Sequence, residues 1–189
     1  MACENNQLQA MYRIYILFLF IAALSSCSRD KGKTQGDLQR IYLAINEGQM
    51  DKVNDMLVPE NKLSVSPLES DGYTKELYGQ VHVLESISIG DDEMVIYKLE
   101  KHERNRGVQR RMDSEDFKER REAGEVKSVN EDSGVIVYTE RQMAFRVKMA
   151  DGEYRYIIDP TEKALNMHFP NKRKEVEQLI EKYFPGGVK

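Results

Sequence analysis

The chain lacks most of what a reactive centre is built from. Among 189 residues there is no tryptophan, and there are three histidines and two cysteines. His82, His102 and His168 are scattered singly, whereas a zinc site needs three or four converging ligands. No G-x-S-x-G elbow, H-E-x-x-H helix, phosphate-cradling glycine loop or calcium loop occurs. Catalysis, a bound metal and a cofactor are therefore not expected. An excess of positive charge is missing too, with 28 Lys and Arg against 32 Asp and Glu and a net charge of −4. That argues against a nucleic-acid binder, which needs a net basic face. The absence of tryptophan lowers the odds of a carbohydrate-stacking surface.

What is present at the start is a single long apolar run. Every residue from Ile14 to Leu24 is apolar, aromatic or alanine, with Arg13 before it and Ser25-Ser26 after it. A helix that spans a hydrocarbon core needs about 20 apolar residues, which this run does not reach. It has no polar face to show solvent, so a buried core helix is the weaker alternative. Positive, apolar, small is the order of a secretory signal. The polar stretch MACENNQLQA, with Glu4, fits poorly ahead of it, and Met11-Tyr12-Arg13 is the more natural beginning.

The run closes on Leu24-Ser25-Ser26-Cys27, a branched apolar residue, two small ones and a cysteine. This resembles the lipobox of bacterial lipoproteins. The resemblance implies a signal peptide over residues 1–26, attachment of a diacylglyceryl group to the Cys27 thiol, cleavage between Ser26 and Cys27, and usually palmitate-type acylation of the new amino group. Each buried methylene contributes about 0.8 kcal/mol and one chain binds only reversibly, so two or three chains hold the protein on the membrane. Ser28 is not aspartate and SRDKGK carries no acidic cluster, which points to an outer-membrane lipoprotein facing the periplasm, with surface exposure left open. The competing reading is ordinary secretory cleavage beside a stray cysteine. Once processed, the chain keeps Cys27 as its sole cysteine, so no internal disulfide can form and the fold must stand on packing.

Residues 27–36 read as a lipidated polar tether and residues 37–189 as one domain. Asp37 can cap a helix with Leu38, Ile41, Tyr42 and Ile45 on one face. Gly48 stops it, Asp51 opens a short second helix, and Pro59 ends that one. TKELYG reads as a helical turn. From Gln80 the period becomes two: Val81, Val83, Ile87 and Ile89 share a face that Glu85 interrupts. Gly90-Asp91-Asp92 turns the chain into a strand lined by Val95, Tyr97 and Leu99. The segment 101–124 is a charged connection carrying a helix capped by Asp113 or Ser114 and closed by Gly124. Residues 134–149 give the longest strand signal, with Arg141 in its apolar register. Either a bulge resets the strand there or Arg141 points into a concavity. Asp151-Gly152 turns into EYRYIID, ALNMHF reads as one more strand, and the last helix is capped by Asn171 with Val176, Leu179, Ile180 and Tyr183 inward.

Runs of strands set apart from helices predict an α+β domain: a curved antiparallel sheet packed on one face against N-terminal helices and a C-terminal amphipathic helix. The stretch AINEGQMDKVNDMLVPE distantly resembles the opening helices of the nuclear-transport-factor-two-like fold, which implies a cone-like shape that often holds a pocket.

Two groups of residues stand out. Glu85 and Arg141 each occupy an otherwise apolar register, and an inward charge must be paired or line a cavity. They mark an internal ion pair, or the polar end of a pocket walled by Tyr97, Phe145, Tyr154 and Tyr156. The second group is basic: Arg104, Arg106, Arg110 and Arg111 in RNRGVQRR, with Lys172, Arg173 and Lys174 at the start of the last helix. It reads as a solvated surface or as a docking surface for an acidic partner. The expected function is that of a membrane-anchored periplasmic lipoprotein of non-enzymatic type that binds a protein partner or envelope component. A small-molecule-binding or pocket-enzyme domain and an anchored inhibitor or immunity protein are the alternatives.

Overall fold

The computed structural model describes residues 31–63 and 74–185. The apolar run, the lipobox with Cys27, Pro67, Gly72 and Gly186-Gly187 lie outside the described residues. The chain divides into residues 1–37 and a compact unit of residues 38–189.

Residues 31–46 are helical and form α1. Helix thus occupies residues 31–36, which the sequence suggested as tether, and Asp37 is interior rather than a cap. A helix nucleated by the buried stripe Leu38, Ile41, Tyr42 and Ile45 gains a hydrogen bond for each residue it propagates. It stops as expected at Gly48, which takes φ +69°. There Gln49 N–H donates to Ala44 and Gly48 N–H to Ile45, the 6→1 and 5→2 pair of a Schellman cap. Helix α2 (Met50–Met56) and a 3₁₀ turn (Pro59–Asn61) follow.

The strands are β1 (Thr74–Ile89), β2 (Asp92–Asn105), β3 (Val126–Asn130), β4 (Val135–Lys148) and β5 (Tyr154–Ile158). They form an open antiparallel sheet in the order β1-β2-β4, with β3 and β5 pairing different stretches of β4. TKELYG is therefore the start of β1, because its pairing with Lys101–Asn105 outweighs a local helical preference. A register shift between Val83 and Glu85 turns β1 over. Val81 and Val83 point to one side, and Ile87 and Ile89 to the other.

That reversal helps bury the sheet on both sides. On one face Val81, Val83, Val95, Tyr97, Leu99 and Ala144 pack beneath α1 and α2. On the other, Met94, Ile96, Met143, Phe145 and Val147 pack beneath α5 (Glu162–His168) and α6 (Arg173–Tyr183) through Ala164, Leu165, Phe169 and Val176. Helices thus cover both faces, rather than one. ALNMHF is helix α5 and not a strand, since Thr161 caps it by accepting from Ala164 N–H. Helix α6 begins at Lys172 without a side-chain cap, so Asn171 does not cap it.

Two side-chain amides on α1, two turns apart, close the backbone where β1 breaks register with β2 between Tyr78 and Val81. Asn46 Nδ2 donates to Tyr78 O at 2.7 Å, and its Oδ1 accepts from Tyr78 N–H at 2.8 Å. Gln39 likewise donates to Gly79 O and accepts from Val81 N–H. Replacing Asn46 by alanine would orphan both Tyr78 groups, and each unsatisfied group costs about 1–3 kcal/mol when buried. With the site only part-buried, urea denaturation should show a loss of about 2 kcal/mol.

Candidate binding surface

Strand β2 runs on through the first residues of the charged segment, and α3 (Val108–Met112) and α4 (Glu115–Glu122) then fold back onto the α1 face of the sheet. Phe117, 2% exposed, anchors them against Ile136 and Tyr138. Ser114 caps α4 by accepting from Phe117 N–H, and Gly124 closes it.

Around this small core, acids and bases alternate. Arg111 Nε donates to both Glu103 oxygens at 3.2 Å, and its Nη2 to Asp116 at 2.6 Å. Asp116 accepts from Arg120 Nε at 3.2 Å, and Arg120 Nη1 donates to Glu140 at 2.5 Å. Lys101 completes the chain at 2.7 Å from Glu140. Tyr138 OH donates to Glu103 at 3.0 Å, while the Arg111 and Arg120 guanidiniums lie 5.9 and 5.3 Å from the Tyr138 ring centroid. Burial and the Glu103 charge push the Tyr138 phenol well above its usual pKa, which keeps it a donor. Three acids balance three bases, so much of the positive charge of this segment is neutralised within the fold.

Burial pushes the Glu140 carboxyl up, but Lys101 and Arg120 outweigh it and hold the group below the usual carboxylate range. The Arg111 bond does the same for Asp116, and the His168 bond for Glu60. A carboxyl whose pKa falls on folding stabilises the fold above its unfolded pKa, and the contribution is lost as pH drops through the lowered folded value. Urea midpoints should therefore be flat from neutrality down to about pH 5 and fall below about pH 4.

On the opposite face α5 and α6 cover only half of the sheet. Along the same strands Leu77, Lys98, Glu100, His102, Val135, Val137 and Thr139 point to that side with no described helix packed over them. Leu77 is 37% exposed. Lys127 Nζ and His102 Nε2 converge on Glu100 at 2.5 and 2.6 Å, and together they hold its carboxyl below the usual range. This cluster crowds β1: a Cβ on Gly79 would stand 2.8 Å from Glu100 Oε1 and 2.9 Å from His102 Nε2. Lys75, Lys98 and Arg104 share this face, are exposed, and pair with no acid among the described residues.

Glu85 and Arg141 lie on this same face, at the border with α6. Tyr183 OH donates to Glu85 at 3.0 Å, and the Arg141 guanidinium stands 5.3 Å from the Phe184 ring and 5.9 Å from that of Tyr183. Both are exposed and they form no ion pair with each other. No bulge accompanies Arg141, for β2 and β4 pair in unbroken register from Glu93↔Arg146 to Arg104↔Val135. The aromatic residues expected beside them are not brought together. Tyr97 and Tyr156 are buried on the α1 face, where Tyr97 OH meets Tyr42 OH at 2.6 Å. Phe145 packs on the other face, 5.2 Å from Phe169, and Tyr154 stacks 3.7 Å from the Arg146 guanidinium. Strand parity sets Phe145 apart from the three tyrosines, which share the α1 face and so point away from the side that carries Glu85 and Arg141.

The basic residues also divide. Arg104, Arg106 and Arg110 are exposed without an acid partner among the described residues, whereas Arg111 belongs to the internal network. Lys172 donates to Ile89 O at 2.7 Å and lies against Gly90, whose φ of +70° forms the β1–β2 turn. Arg173 bonds Glu177 at 2.9 Å, and Lys174 is exposed. Lys172 and Arg104 mark opposite ends of β2, about 40 Å apart at 3.3 Å per residue, so they do not form one patch. Lys75, Lys98, His102 and Lys127 did not stand out in the sequence. The signal was the polar residue at every second place in YKLEKHER, the mark of a sheet face left open.

Comparison with protein-family models, with curated proteins and with solved structures finds no match. Among the described residues no helix is long and apolar enough to cross a membrane, and no three His, Cys, Asp or Glu side chains gather to hold a metal ion.

Proposed function

We propose that the chain is a membrane-anchored envelope lipoprotein of non-enzymatic type, held in the outer membrane by acylated Cys27 and facing the periplasm, whose domain binds a protein partner through the open half of its sheet. The supporting observation is that half-face: apolar Leu77 on β1 and Val135 and Val137 on β4 lie on either side of a β2 row of Lys98, His102 and Arg104, with Lys75 beside Leu77, and no acid of the described residues neutralises Lys75, Lys98 or Arg104. Exposed apolar positions set among unneutralised charges support an interaction surface. The pocket reading has less support, because its residues are shared between two faces of the sheet. The test is site-specific photocrosslinking in native envelopes from Thr139 on the open face and from Lys174 as control. A protein adduct from Thr139 alone is expected, and no adduct from Thr139 defeats the proposal.

A further inference from the structure

We infer that the occupant of the open half-face is an acidic amphipathic helix of a partner protein; the inference rests on the protein-binding reading and names the partner's chemistry. The geometry of the face sets the shape. Strands stand about 4.8 Å apart, so β1-β2-β4-β3 spans about 14 Å, and Lys98 to Arg104 covers about 20 Å along the strands. A single helix, about 10 Å across, fills that width and runs three to four turns along it. The other half of the same face already holds such a helix: α6 packs Val176, with Leu179 and Ile180, against Met94, Ile96 and Phe145.

The charges set the sign. Lys75, Lys98 and Arg104 are exposed and unpaired among the described residues. Lys127 meets one carboxylate, Glu100, which it shares with His102. The apolar positions Val135 and Val137 lie on β4 between β2 and β3, so a helix laid along them would place side chains on both flanks within reach of these cations. A stripe of leucines or valines with glutamates beside it at i+3 and i+4 complements this arrangement. A phospholipid headgroup would meet the cations but leave Val135 and Val137 uncovered. The area is smaller than that of a standard stable interface, so affinity is weak in solution and depends on tethering near the partner.

The test uses the full lipidated chain. With the photocrosslinker at Thr139 in native envelopes, the adduct peptide should map to an acidic helical segment, and K98E/R104E should lower its yield about tenfold, as expected for reversing two exposed charges. The K98Q/R104Q variant, with charge removed rather than reversed, should fall between. Circular dichroism of both variants checks folding. In parallel, a synthetic amphipathic helix with glutamates beside a leucine stripe should bind at least tenfold more tightly than its glutamine version. An adduct that is undiminished in K98E/R104E or that maps to a neutral or basic segment, or equal binding of the two peptides, overturns the acidic helix while leaving protein binding standing; an adduct to phospholipid alone overturns both. No adduct at all overturns both.

Discussion

Replacing Arg111 by leucine should cost about 3 kcal/mol of stability, while the same change at its neighbour Arg110 should stay within about 0.5 kcal/mol. The two arginines have the same sequence surroundings and opposite fates. Arg110 is exposed with no acid partner among the described residues. Arg111 keeps 20% of its side chain in solvent and serves Glu103, of which 7% is exposed. Removing one partner of a buried pair leaves the other charge desolvated and unmatched, which costs 3–5 kcal/mol when burial is complete and toward the lower end here. Glu103 would retain the Tyr138 hydroxyl and the Asn105 amide, but both are neutral. If this account is right, adding Glu103→Gln to Arg111→Leu should restore part of the loss, because the orphaned charge disappears with it. Additive losses in the double variant, or equal losses at Arg110 and Arg111, would show that Arg111 acts through packing alone.

The α+β class and most element positions were legible because local signals agreed with the fold. Helix α1 ends at Gly48 and α4 lies between Ser114 and Gly124 because capping is local chemistry, carried by the residues that perform it. The β1–β2 hairpin and the β4 strand followed from turn residues and alternation. The three-layer arrangement was harder to read, although its trace is present: Met94–Tyr97, Met143–Val147 and Tyr156–Ile158 are nearly continuous apolar runs, and a strand buried on both faces reads that way instead of alternating. Treating Val81, Val83, Ile87 and Ile89 as one face hid the register shift at Leu84, since a single inserted residue reverses the side-chain parity of all that follows.

The candidate surface was legible only in part. RNRGVQRR looked like one basic patch, yet its four arginines have different surroundings, and no one-dimensional pattern shows that Glu103, Asp116 and Glu140 converge from three separate segments. Glu85 and Arg141 each stood out as a charge in an apolar register, but they form no ion pair with each other. Both are exposed in neighbouring rows, Glu85 opposite Ile96 and Arg141 opposite Lys98, where cover by α6 gives way to the open half-face.

Changing Cys27 to serine should abolish fatty-acyl labelling of the protein, whereas Cys3→Ser should leave it intact. The contrast is nearly all-or-none. Each methylene contributes about 0.8 kcal/mol, so two or three long chains hold the domain far more firmly than the marginal binding of a single myristoyl group. With an alkyne palmitate analogue, wild type and Cys3→Ser should label and Cys27→Ser should not, and the intact mass of the mature wild type should correspond to a triacylated chain beginning at Cys27. A mature chain with that thiol free, or label that survives in Cys27→Ser, would remove the anchor. The anchor matters for the binding surface as well. If Cys27 carries the lipid, the start of α1 at residue 31 lies within the roughly 14 Å that four residues of extended chain can reach. A weak helix-binding face tethered by such an anchor would meet membrane-bound partners at an effective concentration that free diffusion does not provide. Loss of acylation should therefore lower the photocrosslinking yield from Thr139 even though no residue of the face has changed.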